Sequence, residues 1–187
     1  MLEALDARAT RHWALSTLSA LGRAREEIDA LNVFPVPDGD TGTNLYLTVE
    51  AAVQAVQELP GDAELRAVAE AFARGALLGA RGNSGIISAQ LLRGWADVLA
   101  ERGVLDADAV REAFARGDAQ AWAAVNRPVE GTILTVSRAA SQAASAAAGR
   151  LADVASAAVR AARIALERTP EQLEVLRRSG VVDAGGR

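Results

Sequence analysis

Asp38 and Asp40 stand two residues apart with Gly39 between them, in the run Pro37-Asp38-Gly39-Asp40-Thr41-Gly42-Thr43-Asn44. Two carboxylates this close converge on one point only where the chain curls, and glycine permits the backbone angles that curling needs. Bringing two anions together costs energy unless a cation lies between them, and hard carboxylate oxygens favour magnesium or calcium. Thr41, Thr43 and Asn44 then add hydroxyl, amide and backbone N–H groups where a helix should begin, a position that suits phosphate oxygens. The same run also suits an ordinary capped turn, because Pro-Asp-Gly and Asp-Gly are common turn sequences. An EF-hand is a poor match, since its other ligands and closing Glu are absent.

The design recurs along the chain. Gly79-Ala80-Arg81-Gly82-Asn83-Ser84-Gly85 sets glycines and a hydroxyl at a helix start, and reads either as a glycine C-cap followed by an Asn or Ser N-cap or as a second anion-binding turn. Arg81 there either pairs with phosphate or stays in solvent. Arg127-Pro128-Val129-Glu130-Gly131-Thr132 opens another helix, with Thr132 a candidate to face a ligand and Glu130 a partner for the helix dipole. Ser179-Gly180-Val181-Val182-Asp183-Ala184-Gly185-Gly186 follows the last helix. It reads as a flexible tail, or as a loop in which Asp183 and the glycines fold over a flat base or ribose.

Composition removes other chemistries. There is no cysteine, so disulfides, thiolate catalysis and Cys-ligated zinc are excluded. All 20 Lys+Arg residues are arginine, which excludes a lysine-dependent Walker-type P-loop. The single histidine, His12, cannot build a metal site alone. A net charge of -4 without a basic run gives little support for nucleic-acid binding. No apolar run approaches the ~20 residues that span a bilayer, and no basic segment precedes an apolar one at the N-terminus, so a cytoplasmic address without membrane insertion is expected.

Alanine-rich composition with few aromatics favours closely packed helices, and the pattern of apolar residues and breakers predicts eight. The first covers about Ala9 to Leu31 and stops before Pro35. The second runs from Thr43 or Asn44 to about Glu58, and the third from Ala63 to Leu78 after an Asp62 cap. The fourth starts at Asn83 or Ser84 and reaches Arg102. A fifth covers Ala107 to Val125 with a possible break at Gly117, and a sixth extends from near Glu130 to Ala148. The seventh covers Leu151 to Glu167, and Thr169-Pro170 opens a short eighth that ends before Gly180. Thr132 to Val136 would also suit a strand, but the alanine-rich continuation keeps it helical. The expected fold class is all-α, in one domain over 1–187.

Taken together, these four loops resemble those of the ATP-binding domain shared by dihydroxyacetone kinases and bacterial fatty acid kinases, the fatty acid kinase branch more closely. The resemblance rests on Leu31 to Asn44, Ala80 to Gly85, Pro128 to Thr132 and Gly180 to Gly186, and covers essentially the whole chain. It implies an antiparallel barrel of eight helices with ATP and two magnesium ions held in loops at one end. Asp38 and Asp40 match metal-binding aspartates. A third aspartate of dihydroxyacetone kinases falls at Val33, which leaves the neighbouring Asn32 as the third candidate metal ligand. Thr41, Gly42, Thr43 and Asn44 match the phosphate-contacting turn, Gly82, Asn83, Ser84 and Gly85 the second phosphate loop, and Asp183 with Gly185 the loop near the base; Thr132 completes the set.

Members of the fatty acid kinase branch phosphorylate the carboxylate of a fatty acid presented by a separate binding protein, giving an acyl phosphate, and their chains extend beyond this domain. The resemblance therefore implies an N-terminal piece of a longer kinase that is inactive without its other domains and partner. A kinase of a small hydroxylated substrate related to dihydroxyacetone, or a catalytically incomplete nucleotide-binding module, are the alternatives. No residue is assigned as a catalytic base.

Overall fold

The computed structural model describes residues 4–187; residues 1–3 of the expected domain lie outside the described residues. Nine helices occur among the described residues: α1 (Ala7–Ala30), α2 (Thr41–Gln57), α3 (Leu65–Gly79), α4 (Gly82–Arg102), α5 (Ala107–Ala123), α6 (Ile133–Ala146), α7 (Leu151–Glu167), α8 (Thr169–Gln172) and α9 (Glu174–Ser179). No strand forms among these residues, and backbone pairing of that type is limited to an isolated bridge between Leu5 and Leu105. The all-α expectation holds.

Helix ends differ from the sequence reading for local reasons. Asp40 rather than a later residue precedes α2, so that helix starts at Thr41. Glu64, not Asp62, is the N-cap of α3, and α4 begins at Gly82. Gly131, at φ 80°, keeps the chain out of helical geometry and Thr132 is the cap, so α6 begins at Ile133, three residues after the expected start near Glu130. Gly117 does not break α5, because its missing side chain serves contact with α4. A Cβ on Gly94 would lie 2.5 Å from the Gly117 Cα, so the two helix backbones touch there. The expected eighth helix divides at Leu173, which is extended at φ -127° and ψ 110°.

Each helix from α1 to α7 packs on the next in chain order, and no comparable packing joins α7 to α1. Val49, Val53, Val56, Val68 and Phe72 fill the half built by α1 to α4, while Val98, Leu99, Val110 and Val154 fill the half built by α3 to α7. Alanine supplies many of the remaining core positions, which lets helices approach closely. A third, smaller cluster of Ile28, Leu45 and Ala184 fastens the C-terminal segment to α1 and α2. At the same end, Gly186 lies against Val136 and Leu166, and the Arg187 Nε is 2.8 Å from Glu27 Oε1.

Candidate functional site

The elements leave an open cleft of about 780 Å³ between loop 32–40, the first turns of α2 and α4, residues 124–134 and the C-terminal segment. Members of all four loops singled out in the sequence meet in it. Asn32, Asp38, Asp40, Thr41, Asn44, Gly82, Asn83, Ser84, Thr132, Asp183 and Gly185 line the cleft.

Gly42, Thr43 and Gly85 do not, and each has another occupation. A Cβ on Gly42 would sit 2.3 Å from the Arg25 carbonyl oxygen, so this glycine lets α2 cross α1. A Cβ on Gly85 would sit 2.4 Å from Thr48 Oγ1. The Thr43 hydroxyl donates to Asp29 Oδ2 at 2.8 Å and its N–H donates to Asp29 Oδ1 at 2.9 Å.

The acidic wall contains an oxygen without a partner. Asn32 is only 6% exposed, and its Nδ2 donates to Asp38 Oδ1 at 2.7 Å. The remaining Asn32 Oδ1 is buried with no hydrogen-bond partner. Leaving an amide oxygen in that state is costly unless a donor or cation supplies the missing interaction. Asp38 is exposed and Asp40 half-buried. Two carboxylates and an amide oxygen form a hard donor set that fits magnesium, which is commonly held by one or two carboxylates with phosphate oxygens completing its shell. No group of three or more His, Cys, Asp or Glu that could hold a metal occurs among the described residues, which agrees with Val33 standing where a third aspartate would be.

The two phosphate-type turns are locked to each other. Gly82 has φ 58°, and a Cβ on it would lie 2.4 Å from Asn44 Nδ2, so only glycine brings the start of α4 this close to α2. Thr48 donates to the Asn44 carbonyl at 2.7 Å and accepts from the Arg81 N–H at 3.2 Å. Two helix N-termini thereby open on one cleft beside the aspartates, and their unpaired N–H groups favour anions. Arg81 is exposed, and its backbone rather than its side chain makes the tie. His12 is also exposed.

On the opposite wall the Thr132 hydroxyl donates to the Val129 carbonyl at 2.8 Å and accepts from the Leu134 N–H at 3.4 Å, so it caps α6. Glu130 accepts from the Thr135 hydroxyl at 2.5 Å. The Trp122 indole N–H donates to the Leu134 carbonyl at 3.2 Å, and the Arg138 guanidinium lies 3.7 Å from the centre of the Trp122 ring. Asp118 holds that guanidinium at 3.5 Å, which braces the wall from behind. Phe34, Val36, Ile86, Ile87, Val125 and Val129 make much of the remaining lining apolar. Among the described residues, Arg127 is the single arginine lining the cleft.

Asp183 is 5% exposed and closes the cleft at the C-terminal side. Its carboxylate accepts from the Gly186 N–H at 2.8 Å, and its own N–H donates to Thr169 Oγ1 at 3.0 Å. Burial pushes its carboxyl up from the ordinary 3.8 to about 6, although N–H groups of Gly186, Ile133 and Gly185 act in the lowering direction. Asp183 thus ties the C-terminal segment to the start of α6. Asp29, Thr48 and Trp122 hold the walls of the cleft through hydrogen bonds that sequence reading misses; each sits inside a helix, where no turn signal marks it.

Comparison with known proteins places the sequence in a family. The DAK2 domain family model matches residues 35–187. Protein YloV of Bacillus subtilis is 40% identical over 189 residues, an alignment that takes in 100% of this chain and 34% of YloV. An uncharacterized protein of Staphylococcus saprophyticus is 38% identical over 190 residues, with 100% and 34% covered. One of Staphylococcus epidermidis is 41% identical over 163 residues, with 86% and 29% covered. The chain spans about a third of the length of these curated relatives. With four glycine-containing loops gathered on one cleft and the family model matched over most of its length, the chain belongs to the DAK2-domain family, a family of kinase domains.

Proposed function

We propose that this chain is the Mg-ATP-binding domain of a fatty acid kinase, working with a separate protein that presents the acyl substrate, in the cytoplasm. The observation that carries the nucleotide reading is the unpartnered Asn32 Oδ1 beside Asp38, in a cleft onto which the N-termini of α2 and α4 also open. Asp38, Asp40 and Asn32 would hold magnesium. Bound magnesium supplies neutralisation of phosphate charge. The N–H groups and side chains of Thr41, Asn44, Gly82, Asn83 and Ser84 would orient the phosphates, and the apolar wall with Thr132, Asp183 and Gly185 would receive the nucleoside. Two ions and an eight-helix antiparallel barrel belong to the same reading.

The fatty acid acceptor rests on the likeness of the Leu31 to Asn44 run to that branch. The DAK2 match serves a kinase of a small hydroxylated substrate equally well, and the acceptor assay separates the two. Calorimetry with ATP and magnesium tests the site itself. Wild type should bind, and Asp38→Ala should bind on the order of a hundredfold more weakly, at least the loss that removing an outer-shell support causes at a metal site. Equal weak binding by both proteins would refute the assignment. Phosphate transfer to a fatty acid, in the full-length kinase with its acyl-carrying partner, tests the reaction; transfer to a small hydroxylated compound instead would favour the second reading.

A further inference from the structure

Three helices of this chain show how a side-chain cap is made here. Asp6 before α1 and Asp106 before α5 have extended backbones, with ψ 179° and -174°, and their carboxylates accept from Ala9 N–H and Ala109 N–H. Thr132 before α6 has ψ -178° and accepts from Leu134 N–H. Asp40 holds the same position before α2, yet its ψ is 3° and its side chain makes no capping bond. The N–H it would have taken, that of Thr43, goes to Asp29 at the end of α1, which also takes the Thr43 hydroxyl.

We propose that Asp29 is a positioning residue: by capping α2 in place of Asp40, it leaves the Asp40 carboxylate to a cation. The inference rests on the magnesium site proposed above. A carboxylate is a favoured cap and is further stabilised by the helix dipole, so an uncapped α2 would compete with the metal for Asp40. Asp29 removes that competition from outside the loop. Thr43 then has no need to touch phosphate; its hydroxyl is the second anchor that orients Asp29. The loop itself folds back over this point, since a Cβ on Gly39 would lie 3.9 Å from the Asp29 carbonyl oxygen. The orphaned Asn32 Oδ1 supplies independent evidence that a cation belongs beside these aspartates.

The test is a cycle of Asp29→Ala, Asp40→Ala and the double variant, read both by melting and by the gain in ATP affinity on moving from chelator to saturating magnesium. Asp29→Ala should reduce that gain about tenfold, in the range seen when a support of a metal ligand is lost. It should cause no further loss in the Asp40→Ala background, because its effect passes through Asp40. Asp29→Asn, which can still accept the Thr43 N–H, should restore most of the gain. In melting, each single variant should change Tm little, because the other aspartate can cap. The double variant should fall about 3 °C beyond their sum, the scale of one lost cap in a domain of this size.

An unchanged magnesium gain in Asp29→Ala, the same loss with or without Asp40, or additive melting shifts would each overturn the proposal. A wild type lacking any magnesium-linked gain would overturn the nucleotide-site reading and the cation half of this one together. The melting cycle would then still decide whether the two aspartates exchange the cap.

Discussion

Asp183→Asn should remove about 3 kcal/mol of pH dependence from the folding stability, all of it between the ordinary carboxyl value and the raised one. In the unfolded chain this group loses its proton near 3.8, and in the folded protein near 6. Between those values the folded state binds more protons, so the contribution of Asp183 to stability falls as pH rises through the window. Below 3.8 both states are protonated and the group contributes no slope; above about 6 the cost of a buried anion is fully present. Asparagine keeps the size and an acceptor oxygen for the Gly186 N–H but cannot ionise. Urea denaturation of both proteins across this range gives the difference directly, and titrating groups common to both cancel. A difference that does not vary with pH would show that Asp183 ionises at its ordinary value.

Gly42→Ala should cost about 3 kcal/mol, the upper part of the range for overpacking, because the added methyl meets something that cannot move aside. Its Cβ would lie 2.3 Å from the Arg25 carbonyl oxygen and 3.0 Å from the Ile28 Cβ, so α1 and α2 must separate. Gly61→Ala is the matched control, since a Cβ there meets nothing within 4 Å. Gly82→Ala separates fold from site: its strain falls on the Asn44 side chain and on a φ of 58°, at the cleft itself. Denaturation should find Gly42→Ala the less stable of the first pair by far. A Gly42→Ala protein as stable as the control would mean that the α1–α2 crossing is looser than the backbone shows.

The helices were legible because alanine-rich periodic runs alternate with Pro and Gly breakers, and α7 starts and ends where the pattern places it. The ends of α2, α3 and α6 were less so. Which of several neighbouring polar residues caps a helix depends on backbone angles that Asp40, Glu64 and Thr132 take only within the folded loops. The four loops were readable as separate chemical motifs, and their meeting in one cleft is a result of helix packing. Within each loop, helical phase then decides the outcome. Thr41 and Asn44 face the cleft, while Gly42 and Thr43 between them face α1. Asp29 and Thr48 were not readable, since each acts across 14 or 33 residues on a partner that no local pattern names.

Most packing in this chain joins neighbours in sequence, the kind of topology that assembles quickly from local contacts. The C-terminal segment is the exception. Arg187 meets Glu27 across a separation of 160 residues, and Ala184 joins Ile28 and Leu45 beside the acidic loop. Closing so long a loop carries an entropy cost that no helix pair in the chain incurs. During synthesis the aspartate loop and both phosphate-type turns therefore emerge well before the segment that buttresses them. The cleft should acquire its final wall last, and a ribosome-bound chain lacking Asp183 to Arg187 should show helices already protected from hydrogen exchange around a site still open on one side.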